Sequence, residues 1–233
     1  MSLSTIFLEP EVNEAPETVI LPYEVTGEFF MEPLGEIEKK PIYSFLKRFF
    51  DIVASFCALV VLALPMLVVA VIIKCTSPGT AFYRQERLEL NGKRFCIIKF
   101  RTMRMDAEAD GAQWSAGDED PRITPFGAFL RKTRIDELPQ LVCILQGTMS
   151  VVGPRPEREC FYDEFETYIH GFHERLKVKP GLTGLAQVEG GYNLHPEEKI
   201  VYDLEYIRTR SFWLDLKIIF KTVGVVLSHE GAK

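Results

Sequence analysis

Positive charge is missing from the first 38 residues of this 233-residue chain: the stretch holds nine Glu and neither Lys nor Arg. A secretory signal peptide needs a basic leader, so none is expected here. The same absence makes the formal net charge of −6 misleading. Beyond residue 38 the chain carries 27 Lys and Arg against 24 Asp and Glu. A mildly basic body suits phosphates or lipid head groups, but it is too weakly charged to suggest a nucleic-acid partner. Cysteine is scarce and unpaired in pattern. The five (Cys57, Cys75, Cys96, Cys143, Cys160) form no C-x-x-C unit and are odd in number, which reads as free thiols in a reducing compartment. Histidine is scarcer still, at four. His170 and His173 lie three apart with Glu174 beside them, but zinc sites usually gather four ligands. The plainer reading is a solvated helix face.

Long uncharged runs are abundant by contrast. From Ile52 to Ile73 there are 22 residues without a charge, enough to cross a bilayer's hydrocarbon core as a helix. A buried core helix apolar all round would be unusual in so small a chain. Lys39, Lys40, Lys47 and Arg48 precede the run and Lys74, Arg84 and Arg87 follow it, so the positive-inside rule sets no orientation. Pro65, near the middle, removes a backbone donor and disfavours helical geometry at Leu64. The run is therefore either a bent crossing helix or a re-entrant one.

Residues 1–38, with Pro10, Pro16, Pro22 and Pro33, are expected to form an extended or poorly ordered tail. After the breaker Ser77-Pro78-Gly79, two apolar-alternating runs flank Asn91-Gly92, a favoured type I′ pair, and predict a β-hairpin. Residues 106–122 are polar and Gly-containing, a loop. Thr124-Pro125 reads as an N-cap and first helical position, with a helix to about Arg131. Asp136 reads as a second N-cap, with a helix from Glu137 to Gln146 and Pro139 tolerated in its first turn. "MSVVGPRPE" (149–157) suggests a short buried strand and a rigid turn. Residues 158–176 look helical with Gly171 as a weak point. "VKPGLTGLAQV" suggests a turn and an extended segment. Two more helices are expected at Glu197–Arg208 and Phe212–Leu227, the last with an apolar face suited equally to a core or to a bilayer interface.

The side-by-side carboxylates Asp136 and Glu137 follow the cations Arg131, Lys132 and Arg134. Acidic residues at a helix start explain the pair without any function. Phosphoryl transfer gives it a sharper meaning. That chemistry needs a nucleophile, cations for the phosphate oxygens and usually Mg²⁺. An Asp carboxylate is already ionised at neutral pH and can form an acyl-phosphate. Arg155, between Pro154 and Pro156, is held by two rigid neighbours that aim one guanidinium.

Taken in order, "KRFFDIV" before the apolar run, "KFRTM" (99–103), "ITPFGAFLRKTRIDELPQL" (123–141), "MSVVGPRPE", "KPGLTGLAQV" (179–188) and "YDLEYIRTRSFWLDLKIIFKTV" (202–223) resemble the small monotopic polyprenol-phosphate phosphoglycosyl transferases, the bacterial sugar transferase family, over about residues 42–227. The resemblance implies transfer of a sugar-1-phosphate from a UDP-sugar to a polyprenol phosphate such as undecaprenyl phosphate, with release of UMP. This is the first membrane step in making a polysaccharide or glycan. It implies Asp136 as nucleophile of a covalent phosphosugar intermediate and as ligand of Mg²⁺. Glu137 would give acid–base or metal support, and Lys99, Arg131 and Arg155 would bind substrate phosphates. It also implies a re-entrant helix broken at Leu64-Pro65, where the family has Ser-Pro, a catalytic domain on the cytoplasmic face of the inner membrane, and polysaccharide-assembly glycosyltransferases as partners. Glu89, Cys143 and Thr148 depart from the family pattern at loop positions. Without the extra membrane helices of longer relatives, the chain resembles the short form.

The expected fold is α+β and mostly helical. A re-entrant membrane helix, a small hairpin and amphipathic interfacial helices surround a compact catalytic domain. The expected organisation is a tail at 1–38, a membrane-embedded helix at 39–76 and the catalytic domain at 77–233. Two other readings remain open at this point: a non-catalytic membrane scaffold for polysaccharide assembly, and a bitopic protein that binds nucleotide sugars without transfer.

Overall fold

The uncharged run forms the longest element of the computed structural model, which describes residues 19–21, 24–25, 27–107, 112–113, 120–190 and 194–228. Helix α1 (Pro41–Thr76) starts with proline in its first turn and stops at Ser77, ahead of the helix-breaking Pro78-Gly79. It continues through Pro65. The break expected at Leu64-Pro65 is absorbed within the helix, because one missing donor is a small loss among the bonds of 36 residues. At the usual rise, the helix is about 54 Å long.

Two stripes run along α1. Phe45, Phe49, Val53, Phe56, Val60 and Leu64 lie on an exposed apolar face. The opposite face packs on the rest of the protein from end to end. Leu59 and Leu62 join a cluster with Phe95, Ile97, Leu141 and Ile144. Met66, Val69 and Ile73 join another with Ala81, Phe100 and Leu130. The polar residues Lys47 and Asp51 near its start are also turned inward.

Next comes the expected hairpin. Strands β3 (Phe82–Leu88) and β4 (Arg94–Phe100) pair antiparallel, from Phe82 opposite Phe100 to Leu88 opposite Arg94. Their connection spans five residues rather than two. Asn91 and Gly92 both take the positive φ that their sequence favours. Helix α2 (Pro125–Lys132) follows, capped by Thr124, whose hydroxyl accepts from Gly127 N–H at 3.0 Å.

Where a continuous helix from Glu137 was expected, a 3-10 turn (Ile135–Gln140) leads into a shorter α3 (Leu141–Gln146). Arg134, in the left-handed conformation (φ 58°), reverses the chain before the turn, and Asp136 caps nothing. Pro139 sits inside the tight turn, where its missing N–H and fixed φ favour that geometry over a regular α-helix.

Strand β6 (Ser150–Val152) pairs parallel with β8 (Gly181–Thr183), and between them the chain again departs from expectation. Helix α4 (Glu159–Glu166) ends early, and a short strand β7 (Ile169–His170) precedes a 3-10 turn (Phe172–Lys177). Gly171, at φ 102°, turns the chain from β7 into that 3-10 turn. Instead of remaining extended, residues 185–189 form helix α5 (Leu185–Glu189). The two expected C-terminal helices are α6 (Pro196–Thr209) and α7 (Phe212–Ser228). The largest core joins Phe161, Phe165, Phe172, Ile200, Leu204 and Ile218. Helix α7 has a core-facing side and an open one: Ile218 is buried, while Trp213 and Phe220 stand on an exposed apolar face.

The fold is thus α+β and mostly helical, as expected. The described part of the acidic tail is extended and docked. Strand β1 (Val19–Ile20) pairs with β5 (Ala112–Gln113), and β2 (Phe29–Phe30) pairs with β7, both parallel. Leu34 N–H donates to Glu174 at 2.6 Å. The rest of the tail lies outside the described residues.

Candidate active site

Two backbone approaches build the site. A Cβ at Gly127 would sit 2.0 Å from the Thr102 carbonyl oxygen, so α2 packs directly on the chain leaving β4. That contact brings Arg131 Nε to Thr102 Oγ1 at 3.0 Å. On the other side, a Cβ at Gly181 would fall 2.1 Å from Gly153 N, and one at Gly184 2.3 Å from Gly153 O. These glycines let β8 press against the turn that carries Pro154, Arg155 and Pro156.

Between the two lie Asp136 and Glu137, both buried in the 3-10 turn. Arg155 grips Glu137 with both guanidinium nitrogens, Nη1 to Oε2 at 3.3 Å and Nη2 to Oε1. Lys99, on β4, reaches Glu137 Oε1 at 3.5 Å. The Asp136 carboxylate accepts no hydrogen bond among the described residues. Of the five predicted site residues, Lys99, Glu137 and Arg155 are in direct contact. Asp136 is their neighbour, and Arg131 acts on it through charge.

The two carboxyls are driven apart in acidity. Burial and the adjacent Glu137 charge push Asp136 up to about 6, against the pull of Lys99, Arg155 and Arg131. Burial would raise Glu137 too, but Arg155 and Lys99 outweigh it and hold that carboxyl well below the usual range. Glu137 is committed to the cations Arg155 and Lys99, and Asp136 is not. Burial lowers the Lys99 ammonium from its ordinary value, partly offset by Glu137.

A second layer was not singled out from the sequence. Arg175, fully buried, donates to Asp203 at 2.7 Å and to the Arg155 carbonyl at 2.8 Å. Its guanidinium lies 4.7 Å from the centre of the Phe172 ring. Glu157 bridges Arg87 at 3.2 Å and Lys199 at 3.0 Å. Although burial opposes it, Lys199 and Arg87 bring Glu157 down to about 2. Charges spaced along helical segments read as solvated faces. The only available signal was that Glu157 and Asp203 fall inside the family-like runs.

The donor set fits one hard divalent cation shared with a substrate. Mg²⁺ is commonly held by one or two carboxylates plus substrate phosphates rather than by an all-protein cage. Asp136 offers an uncommitted carboxylate, and no cluster of three or more ligating side chains occurs among the described residues. His173 Nδ1 meets Glu166 at 2.7 Å, and His170 stacks on Phe30 at 4.5 Å.

The profile of the family described as bacterial sugar transferase matches residues 42–229. The chain is 43% identical over 203 residues to a UDP-N-acetylgalactosamine-undecaprenyl-phosphate N-acetylgalactosaminephosphotransferase of Aeromonas hydrophila, covering 86% of this chain and 48% of that protein. It is 40% identical over 203 residues to a UDP-glucose:undecaprenyl-phosphate glucose-1-phosphate transferase of Xanthomonas campestris pv. campestris, covering 85% of this chain and 42% of that one. It therefore spans less than half the length of these two relatives. The exopolysaccharide production protein ExoY of Rhizobium meliloti is 36% identical over 219 residues, covering 88% of this chain and 94% of ExoY.

Proposed function

This chain belongs to the bacterial sugar transferase family, and from that premise we propose that it transfers a sugar-1-phosphate from a UDP-sugar to undecaprenyl phosphate, with Asp136 as the nucleophile. One observation carries the assignment: Asp136 is a buried carboxylate without a hydrogen-bond partner among the described residues, beside three cations suited to phosphate oxygens.

An Asp136 oxygen attacks the sugar-bearing phosphorus. The bond from that phosphorus to the bridging oxygen breaks, UMP leaves, and the sugar phosphate is held as an aspartyl acyl-phosphate. A phosphate oxygen of the acceptor lipid then attacks the same phosphorus and frees the carboxylate, so a polyprenol diphosphate sugar forms. Each displacement proceeds in line, and charge builds on the equatorial oxygens. Lys99 and Arg155 face that charge. Arg131, steadied by Thr102, approaches Asp136 from α2. Glu137, held low by Arg155 and Lys99 against the effect of burial, fixes Lys99 and Arg155 before substrate arrives, which lowers the cost of reorganisation. Mg²⁺, held by Asp136 together with the substrate diphosphate, would neutralise phosphate charge.

The membrane placement follows from α1. Lys47 and Ile73, near its opposite ends, pack on the same domain, which supports a helix that stays on one side of the bilayer, the side where nucleotide sugar and lipid phosphate meet, with its free apolar stripe turned to lipid. A scaffold would gain nothing from a buried carboxylate pair. The relatives' names cite both glucose and N-acetylgalactosamine, so the sugar is the variable to screen.

The protein in detergent, given UDP-sugars, undecaprenyl phosphate and Mg²⁺, should release UMP. Chelation with EDTA should stop the release, and Asp136→Asn should abolish it. Undiminished release by Asp136→Asn would remove the nucleophile.

A further inference from the structure

The run Lys47-Arg48-Phe49-Phe50-Asp51 looks, as sequence, like ordinary charged flanking of a membrane helix. In the structure its charges do something else. Lys47, Arg48 and Asp51 share one face of α1 at i, i+1 and i+4, and that face is turned away from the apolar stripe marked by Phe49, Ile52 and Val53. Asp51 is 3% exposed. Side chains meant to sit among lipid head groups would point outward into water.

Each of the three takes hold of backbone in a segment that carries site residues. Arg48 donates to the Ile144 and Leu145 carbonyls at 2.6 and 2.7 Å. These carbonyls lie in the last turn of α3, and α3 continues directly from the turn bearing Asp136 and Glu137. The Asp51 carboxylate accepts the Val151 N–H at 3.0 Å, and Lys47 donates to the Val152 carbonyl at 2.9 Å. These groups lie on β6, three and four residues before Arg155. Lys47 is steadied by Asp215 at 2.9 Å, and Asp215 by the Tyr206 hydroxyl at 2.8 Å.

We infer that Lys47, Arg48 and Asp51 are positioning residues for the transfer reaction: one turn of the membrane helix sets the spacing between the segment of the Asp136–Glu137 pair and that of Arg155. The inference rests on the catalytic reading of that site. It adds that the embedded helix is part of the catalytic frame and not only an anchor. The Arg155–Glu137 contact spans the two segments, so a shift of either one changes where the guanidinium meets the phosphate. Misplacement by about 1 Å can cost on the order of a hundredfold in rate.

The test uses the full chain in detergent. Asp51→Leu removes the acceptor for Val151 N–H, whereas Asp51→Asn keeps an oxygen in the same place. Arg48→Gln loses the fork, and Arg48→Lys keeps the charge and one donor. Phe49→Leu, on the exposed stripe, is the control. With wild-type UMP release and its loss in Asp136→Asn as the reference for the site itself, Asp51→Leu and Arg48→Gln should lose about ten- to a hundredfold in kcat. Their KM for the UDP-sugar should stay within about threefold, since binding is shared among several cations. Asp51→Asn should recover most of the rate, Arg48→Lys an intermediate part, and Phe49→Leu should match wild type.

Hydrogen exchange over residues 150–156 gives a readout independent of turnover. Protection should fall in Asp51→Leu and hold in Asp51→Asn. If Asp51→Leu or Arg48→Gln does not fold, the graded pair Arg48→Lys and Asp51→Asn carries the comparison. Folded Asp51→Leu or Arg48→Gln with kcat within threefold of wild type would overturn the inference, as would a folded Arg48→Lys at the full wild-type rate or unchanged exchange in Asp51→Leu. Losses that scale only with the unfolded fraction would do the same.

Discussion

Replacing Glu157 with Gln tests whether the layer behind the site is held by charge. Glu157 is 6% exposed, between Arg87 at 3.2 Å and Lys199 at 3.0 Å. Its carboxyl falls from an ordinary 4.5 to about 2 in the folded protein, where Lys199 and Arg87 overcome the opposing effect of burial. At about 1.36 kcal/mol per pKa unit, that difference is worth roughly 3 kcal/mol of stability at neutral pH. The sign follows from proton uptake. The unfolded chain binds the proton first as pH drops below 4.5, so the contribution is complete above that value and fades towards pH 2. By pH 3 roughly half of it remains. For a domain of this size, 3 kcal/mol corresponds to a melting shift of about 6–12 °C. Melting of the wild type and Glu157→Gln, followed by near-ultraviolet circular dichroism in detergent, should show that gap at pH 7 and about half of it at pH 3. A shift below 2 °C at both pH values, or an equal shift at both, would refute an ionic role for Glu157.

Three further outcomes follow from the same geometry. Gly181→Ala places a methyl group 2.1 Å from Gly153 N and 2.5 Å from the Thr183 carbonyl oxygen. It should destabilise by about 3 kcal/mol and lower UMP release by moving the Arg155 turn, both readable on the purified variant. Thr124→Ala removes the cap on Gly127 N–H and should cost about 1 kcal/mol, a melting shift of about 2–4 °C. Reporter tags placed before Lys39 and after Lys233 should both respond as cytoplasmic. Labelling on opposite sides of the membrane would overturn the one-face placement of α1.

Much of this architecture could be read before any coordinates, because its signals are local. Twenty-two uncharged residues announce an apolar helix, Thr124-Pro125 a capped start, Asn91-Gly92 a reversal, and Phe212–Leu227 a helix with two faces. Each depends on neighbours within a turn or two. Local reading failed where two local preferences competed. Asp136 resembles a cap, but Arg134 in the left-handed region and Pro139 three residues on tighten the chain into a 3-10 turn, so Asp136 is not a cap. The predicted helix over 158–176 stops at Glu166, and the pairing of β7 with β2 takes its place before Gly171.

The sequence alone thus determined which side chains could do phosphate chemistry, since an acidic pair, an Arg between prolines and a lysine in a strand are legible as residue types. Tertiary structure decided how the work is divided. Glu137 is committed to Arg155 and Lys99 while Asp136 is left open, because cations from distant segments converge on one carboxylate and not the other. It also turned Lys47 and Asp51 from apparent membrane flanks into contacts with β6. The physical reason is common to both. Charge pairing and burial are set by groups far apart in the chain, and no periodicity or spacing encodes which of them will meet.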